Sequence, residues 1–148
     1  MNIYKYNLDK KAADKANSIK GSGVYCFWNK NELLYIGKSR NLGNRIYQSA
    51  LEKLNVGLPI TIISYRKTKT EADSNILEVM LITENKSVLN SANVCGDLPV
   101  EFPSKLNIKK FKKIKVKPTK ILDELKTKYE EHKIKFKKWQ ENILENQK

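Results

Sequence analysis

The sequence predicts an α+β fold: a small mixed β-sheet of three strands in β-β-α-β-α order, flanked by helices. A basic C-terminal extension ending in a long helix follows it. Three observations carry this. Two runs rich in β-branched and aromatic residues, 24–28 and 33–36, flank a turn. Apolar residues recur every fourth position from Leu42 to Leu54, a helical period, and another β-rich run follows at 60–65. The last 44 residues combine a lysine run with a heptad stripe.

Each element has a local reason. Asn7 or Asp9 is placed to cap a short helix through about residue 18, with Ala12, Ala13 and Ala16 as helix formers. Gly21-Ser22-Gly23 breaks it. Val24-Tyr25-Cys26-Phe27-Trp28 reads as a strand and Asn29-Lys30-Asn31 as a turn. Leu33-Leu34-Tyr35-Ile36 is the returning strand, ended by Gly37. Leu42, Ile46, Ala50 and Leu54 mark an amphipathic helix, with Asn41 available as its cap and Gly57 and Pro59 to stop it. Ile60-Thr61-Ile62-Ile63-Ser64-Tyr65 is the third strand. Thr70-Glu71-Ala72-Asp73 has capping-box spacing, with Asp in the last place. It opens a helix through about Glu84 that is apolar on most sides and is expected to be buried.

Beyond it, Ile114 and Val116 alternate with lysine, the pattern of a short strand or an extended basic arm ended by Pro118. Leu122, Leu125, Tyr129, His132, Phe136, Trp139 and Ile143 then follow at alternating gaps of three and four. A helix over 119–146 would be about 40 Å long. Aromatic residues and a histidine on the stripe weaken a regular coiled coil. Packing within the chain, and so a monomer, is therefore favoured over a dimer through this helix.

Length and charge bound the function. The chain has 148 residues, a net charge of +13 and 40% hydrophobic residues, enough for one modest core. Residues 1–104 carry 14 Lys and Arg against 10 Asp and Glu, whereas residues 105–148 carry 15 Lys against 6. The predicted organisation is a helical lead-in over 1–20, a body over 21–95, a Gly/Pro-bearing linker over 96–104 and the basic extension over 105–148. The basic excess points to a polyanion, nucleic acid before an acidic membrane surface. No run of about 18 apolar residues spans a membrane, and no signal peptide is visible. Cys26 and Cys95 lack zinc or disulfide spacing and read as reduced thiols of a cytoplasmic protein.

In the hairpin, nine residues separate Gly23-Val24-Tyr25 from Tyr35-Ile36-Gly37. Lys38 follows, then Asn41-Leu42 and Arg45 on the next helix, Glu78 in the apolar helix Glu71-Ala72-Asp73-Ser74-Asn75-Ile76-Leu77-Glu78-Val79-Met80-Leu81-Ile82, and Asn90 twelve residues on. Over about 21–91 this resembles the GIY-YIG nuclease family, with Val24 in place of the Ile of the name. The spacing is similar to that of the nuclease domain of bacterial excision-repair incision proteins. The overall layout looks more like the stand-alone endonucleases of phages and mobile elements.

The resemblance implies the chemistry of phosphodiester hydrolysis: a base for water, cations for the phosphate charge, and stabilisation of the leaving oxygen. It implies catalytic roles for Tyr25, Tyr35, Lys38, Arg45, Glu78 and Asn90. Glu78 is the implied metal ligand. A lone carboxylate suits Mg²⁺, with Mn²⁺ as a substitute, and an unpaired carboxylate in so apolar a helix would be costly. Tyr35 is taken as general base and Tyr25 as the group that orients water or phosphate. The cations Lys38 and Arg45, with the metal, are expected to lower the tyrosine pKa from about 10. Arg45 has the fork geometry to bind the scissile phosphate.

Gly37 is expected to let backbone approach the substrate. Arg40 and Asn41 are expected phosphate contacts. In the lysine run, Lys109, Lys110, Lys112, Lys113, Lys115 and Lys117 are expected to give DNA affinity without sequence information. His132 receives no catalytic role. The expected function is a metal-dependent DNA endonuclease, of phage or mobile-element type, that nicks one strand per binding event. The alternatives are a non-catalytic DNA-binding module on the same fold and a nuclease acting on RNA or single-stranded DNA.

Overall fold

A computed structural model describes residues 6–85, 108–117 and 120–146. Asn90, Cys95 and the expected linker over 96–104 lie outside the described residues.

The elements run α1 (Lys10–Ser18), β1 (Gly23–Asn29), β2 (Glu32–Ser39), α2 (Leu42–Asn55), β3 (Ile62–Lys67), α3 (Glu71–Glu84), a short 3-10 turn (Ile108–Lys110), β4 (Lys112–Lys115) and α4 (Lys120–Asn146). The strands form one antiparallel sheet in the order β2-β1-β3-β4. The α+β class holds, but among the described residues the sheet has four strands, not three, and it is antiparallel throughout rather than mixed. The added strand comes from the basic extension: Ile114 lies opposite Ile63, and Lys113 opposite Ser64.

Strand alternation sorts side chains between two cores. Tyr25 and Phe27 point to the face covered by α1, α2 and the first turns of α4. Val24 and Cys26 point to the other face, where Leu77 and Leu81 of α3 pack with Ile36 and Phe111. Cys26 is fully enclosed, and burial pushes its thiol up to about 12, so it is inert as a nucleophile.

Local signals explain the helix starts. Asp9 caps α1, its carboxylate accepting from the Ala12 N–H at 3.2 Å, while its other oxygen accepts from the Lys117 N–H at 3.0 Å. Thr70 caps α3 by accepting from the Asp73 N–H at 3.1 Å. The Asn41 side chain makes no cap bond to α2; its backbone N–H donates to Ser39 Oγ instead, at 3.0 Å.

One further expectation is corrected. α3 is not buried all round: Leu77, Leu81 and Ile82 join the core under the sheet and Met80 is buried, while Ile76 and Val79 are exposed. The described part of the extension packs on the body, as the favoured reading of the stripe expected. Ile114, Val116, Leu122, Leu125 and Tyr129 are buried in the same core as Tyr25 and Phe27. Each such side chain contributes on the order of 1.5–3 kcal/mol, so the described part of the extension is structural. The early heptad positions therefore do pack within the chain, whereas Phe136 and Trp139 stay exposed.

Candidate active site

The hairpin sets the geometry of the site. Tyr25 lies opposite Gly37, and Phe27 opposite Tyr35. The Tyr25 and Tyr35 ring centroids are 6.1 Å apart, with Phe27 against both, at 5.2 Å from Tyr25 and 6.0 Å from Tyr35. A Cβ on residue 37 would run into the Tyr25 ring and hydroxyl, so glycine makes room for the tyrosine. Gly37 thus has a structural role in addition to the approach of substrate expected of it.

Helix α2 crosses this face. Ile46 and Ala50 enter the core. Arg45, Ser49 and Lys53, spaced four apart, form a row on the adjoining side. The Arg45 guanidinium lies beside the Tyr25 hydroxyl. Ser49 is fully buried, and its hydroxyl faces that of Tyr25 without closing a well-formed hydrogen bond. Lys53 Nζ sits over the Tyr35 ring, 4.5 Å from its centroid.

Helix α3 delivers the carboxylate from the other face of the sheet. Because β2 is an edge strand, Glu78 reaches round to the same edge as Tyr35. It is half-buried, close enough to Tyr35 and Lys38 for both charges to be felt. Lys38 Nζ donates to Asn75 Oδ1, one turn before Glu78.

The electrostatics correct one expectation. Burial holds the Tyr25 hydroxyl well above the usual tyrosine range; Ser49 and Arg45 oppose that without reversing it. Tyr35 is also raised, first by burial and then by the Glu78 charge, with Arg45 opposing. The protein's own cations therefore do not bring either tyrosine below its ordinary value. Arg45 is raised in turn, chiefly by Tyr25. Burial raises Glu78, and Lys38 only partly offsets this. A carboxylate so placed gains from a cation at its oxygens.

The donor set fits one kind of metal. Among the described residues no group of three or more His, Cys, Asp or Glu comes together. That excludes a zinc-type cage there. A single half-buried carboxylate suits Mg²⁺, which keeps most of its waters and takes one or two protein carboxylates.

Tyr25, Tyr35, Lys38, Arg45 and Glu78 are thus brought to one edge of the sheet, and Asn90 lies outside the described residues. Arg40 is exposed in a loose ion pair with Glu71 at 3.7 Å, and Asn41 is exposed beside it. The lysines of the extension sit elsewhere. Lys112, Lys113 and Lys115 are exposed on β4, at the edge opposite β2, three strand spacings or about 14 Å away. Lys110 and Lys117 flank that strand and are exposed too, while Lys109 lies in the 3-10 turn. Sequence reasoning missed Ser49, Lys53 and Asn75. The first two were legible as the four-residue row continuing from Arg45, and Asn75 as the residue one turn before Glu78.

Among solved structures, the chain is similar to the GIY-YIG N-terminal endonuclease domain of UvrC from Thermotoga maritima, bound to its catalytic divalent cation, magnesium. Identity is 30%, covering 55% of this chain and 97% of that one, with a TM-score of 0.48. A tyrosine-to-phenylalanine variant of that domain, bound to its catalytic divalent cation, is 29% identical, with 55% and 97% covered and a TM-score of 0.48. An asparagine-to-alanine variant gives 28%, 55%, 96% and 0.47. No protein-family model and no curated protein matches. The 30% identity spans nearly the whole of a solved domain, and both hairpin tripeptides, Arg45 and Glu78 are in place. Over that stretch the chain is similar to a GIY-YIG endonuclease domain.

Proposed function

We propose that this chain is a metal-dependent DNA endonuclease. The supporting observation is the convergence of Tyr25, Tyr35, Arg45 and Glu78 on one edge of the sheet, brought there by the hairpin, α2 and α3. Glu78 is the protein ligand of a Mg²⁺ ion, with Mn²⁺ as a substitute; when bound, the ion supplies charge neutralisation at the phosphate oxygens. Arg45 holds two phosphate oxygens with its guanidinium fork. Tyr35, the more accessible tyrosine, takes the proton of the attacking water. Tyr25, fully buried, fixes the position of Arg45 through its hydroxyl. Lys38, steadied by Asn75, adds positive charge near Glu78. Asn90 completes the proposed set.

One such constellation cuts one strand per binding event, so the proposed product is a nick. The proposed setting is a phage or mobile-element nuclease, acting in homing or in interference with foreign DNA. Lys109, Lys110, Lys112, Lys113, Lys115 and Lys117, with Arg40, Asn41 and Gly37, are proposed DNA contacts. Supercoiled plasmid with Mg²⁺ should convert to open circles, and Glu78→Gln should abolish the conversion while DNA binding persists. Supercoiled DNA persisting with every divalent metal would instead favour a non-catalytic DNA-binding module. The raised tyrosine pKa values are the one observation on that side.

A further inference from the structure

The heptad stripe of α4 changes character halfway along. Leu122, Leu125 and Tyr129 are buried against the body. Phe136 and Trp139, on the same stripe, are each 57% exposed. Their rings stack on one another with centroids 5.7 Å apart and planes 27° apart. With His132 and Lys135 they line a shallow concavity.

The charges around this half are sorted. At about 100° per residue, Lys128, Lys133 and Lys135 fall within about 80° of the stripe's centre, on both flanks. All the acidic residues of α4 lie about 100° or more away, on the outer face. A second copy laid along the stripe would set lysine flank against lysine flank with no acid between them. The rim instead complements a polyanion, and the exposed aromatic surface complements flat rings.

The platform is also anchored. Tyr129 Oη donates to Glu32 Oε1 at 2.5 Å, and Lys133 Nζ to Glu32 Oε2 at 2.6 Å. Glu32 opens β2, the strand that carries Tyr35 three residues on, about 10 Å along the sheet edge. Phe136 follows Lys133 by about one helical turn.

We propose that the projecting half of α4 is a stacking platform for unpaired bases of a single-stranded nucleic-acid segment, with Lys128 and Lys135 neutralising its backbone. This rests on the nuclease reading for the identity of the polyanion. It extends that reading by making a substrate with an unpaired stretch near the cut the preferred one.

The test uses the full chain carrying Glu78→Gln, so that binding is read without cleavage. Fluorescence anisotropy compares a labelled oligothymidylate with a duplex of equal length. Phe136→Ala with Trp139→Ala should weaken oligothymidylate binding about tenfold or more and change duplex binding by less than about threefold. Phe136→Tyr with Trp139→Tyr should retain it. An equal loss on both ligands, or no loss on either, overturns the proposal. So does a concentration-dependent dimer, seen by sedimentation and dispersed by the alanine pair. So does a large fall in Tm for that pair, since the rings would then be covered by the chain itself. Plasmid nicking by the unaltered chain, run in parallel, separates the readings. Nicking without the single-strand preference removes only the platform, and the preference without nicking removes only the nuclease.

Discussion

Gly37 stands directly opposite Tyr25 in the hairpin, and the space a Cβ would need at position 37 is filled by the Tyr25 ring and hydroxyl. The two tripeptides that frame the hairpin are therefore coupled by packing. Gly37→Ala should force Tyr25 off its position beside Arg45. Overpacking of this kind costs about 1–3 kcal/mol, and displacing the hydroxyl should lower nicking more than about tenfold. A thermal melt and the plasmid assay check both. Unchanged activity would mean that Tyr25 is not placed by this contact.

Glu78, the proposed metal ligand, carries a stability cost. Its pKa is raised by burial, so the folded state favours the protonated form relative to the unfolded chain. For a raised group, its contribution to stability is present below the unfolded pKa of about 4.5 and lost as pH rises through the folded value. At pH 7 the ionised carboxylate therefore opposes folding. Glu78→Gln should raise Tm at pH 7 while reducing nicking about a hundredfold or more. Mg²⁺ should raise the Tm of the unaltered chain and not of the variant. Differential scanning calorimetry with and without the ion reads this directly.

The elements that were legible in the sequence are those set by near neighbours. The hairpin follows from the β-branched and aromatic run Val24–Trp28 and the Asn29-Lys30-Asn31 turn, α1 from Asp9, and α3 from Thr70. The fourth strand was not, because Ile114 and Val116 alternating with lysine is equally an extended arm. What decides it is pairing with Ile63, about fifty residues away in sequence, which no local pattern encodes. The candidate site was read through the resemblance carried by the two hairpin tripeptides, Arg45 and Glu78, because Glu78 lies 53 residues from Tyr25 and no local pattern joins them. The net tyrosine pKa was not, because the cations could be read from the sequence while the burial that outweighs them could not.

That fourth strand changes what a truncation would do. Removing residues 105–148 would take Ile114, Val116, Leu122, Leu125 and Tyr129 out of the core and should unfold the body rather than simply weaken DNA binding. The salt test belongs to substitutions instead. Lys112, Lys113 and Lys115 are exposed on β4, where lysine also discourages edge-to-edge pairing. Changing all three to Gln should leave Tm within a few degrees. The slope of log affinity against log salt should flatten by about 0.9 for each DNA phosphate that these lysines neutralise. An unchanged slope, measured by anisotropy over a salt series, would assign these lysines to edge protection alone.

Tyr129 ties the long helix to the hairpin, and its ionisation should loosen the tie. Its pKa is raised above the usual tyrosine value, first by burial and then by its bond to Glu32. A group raised in the folded state contributes stability that is complete below the unfolded value, about pH 10, and lost as pH climbs through the folded one. Tyr25 and Tyr35 are raised as well, so the unaltered chain should lose stability progressively above about pH 10. Tyr129→Phe removes one hydrogen bond to a carboxylate, about 1.5–3 kcal/mol at pH 7, and should flatten the alkaline loss. Chemical denaturation at pH 7 and across the range above about pH 9 checks both halves. If the variant kept the full alkaline slope, the tie between α4 and β2 would not depend on the neutral hydroxyl.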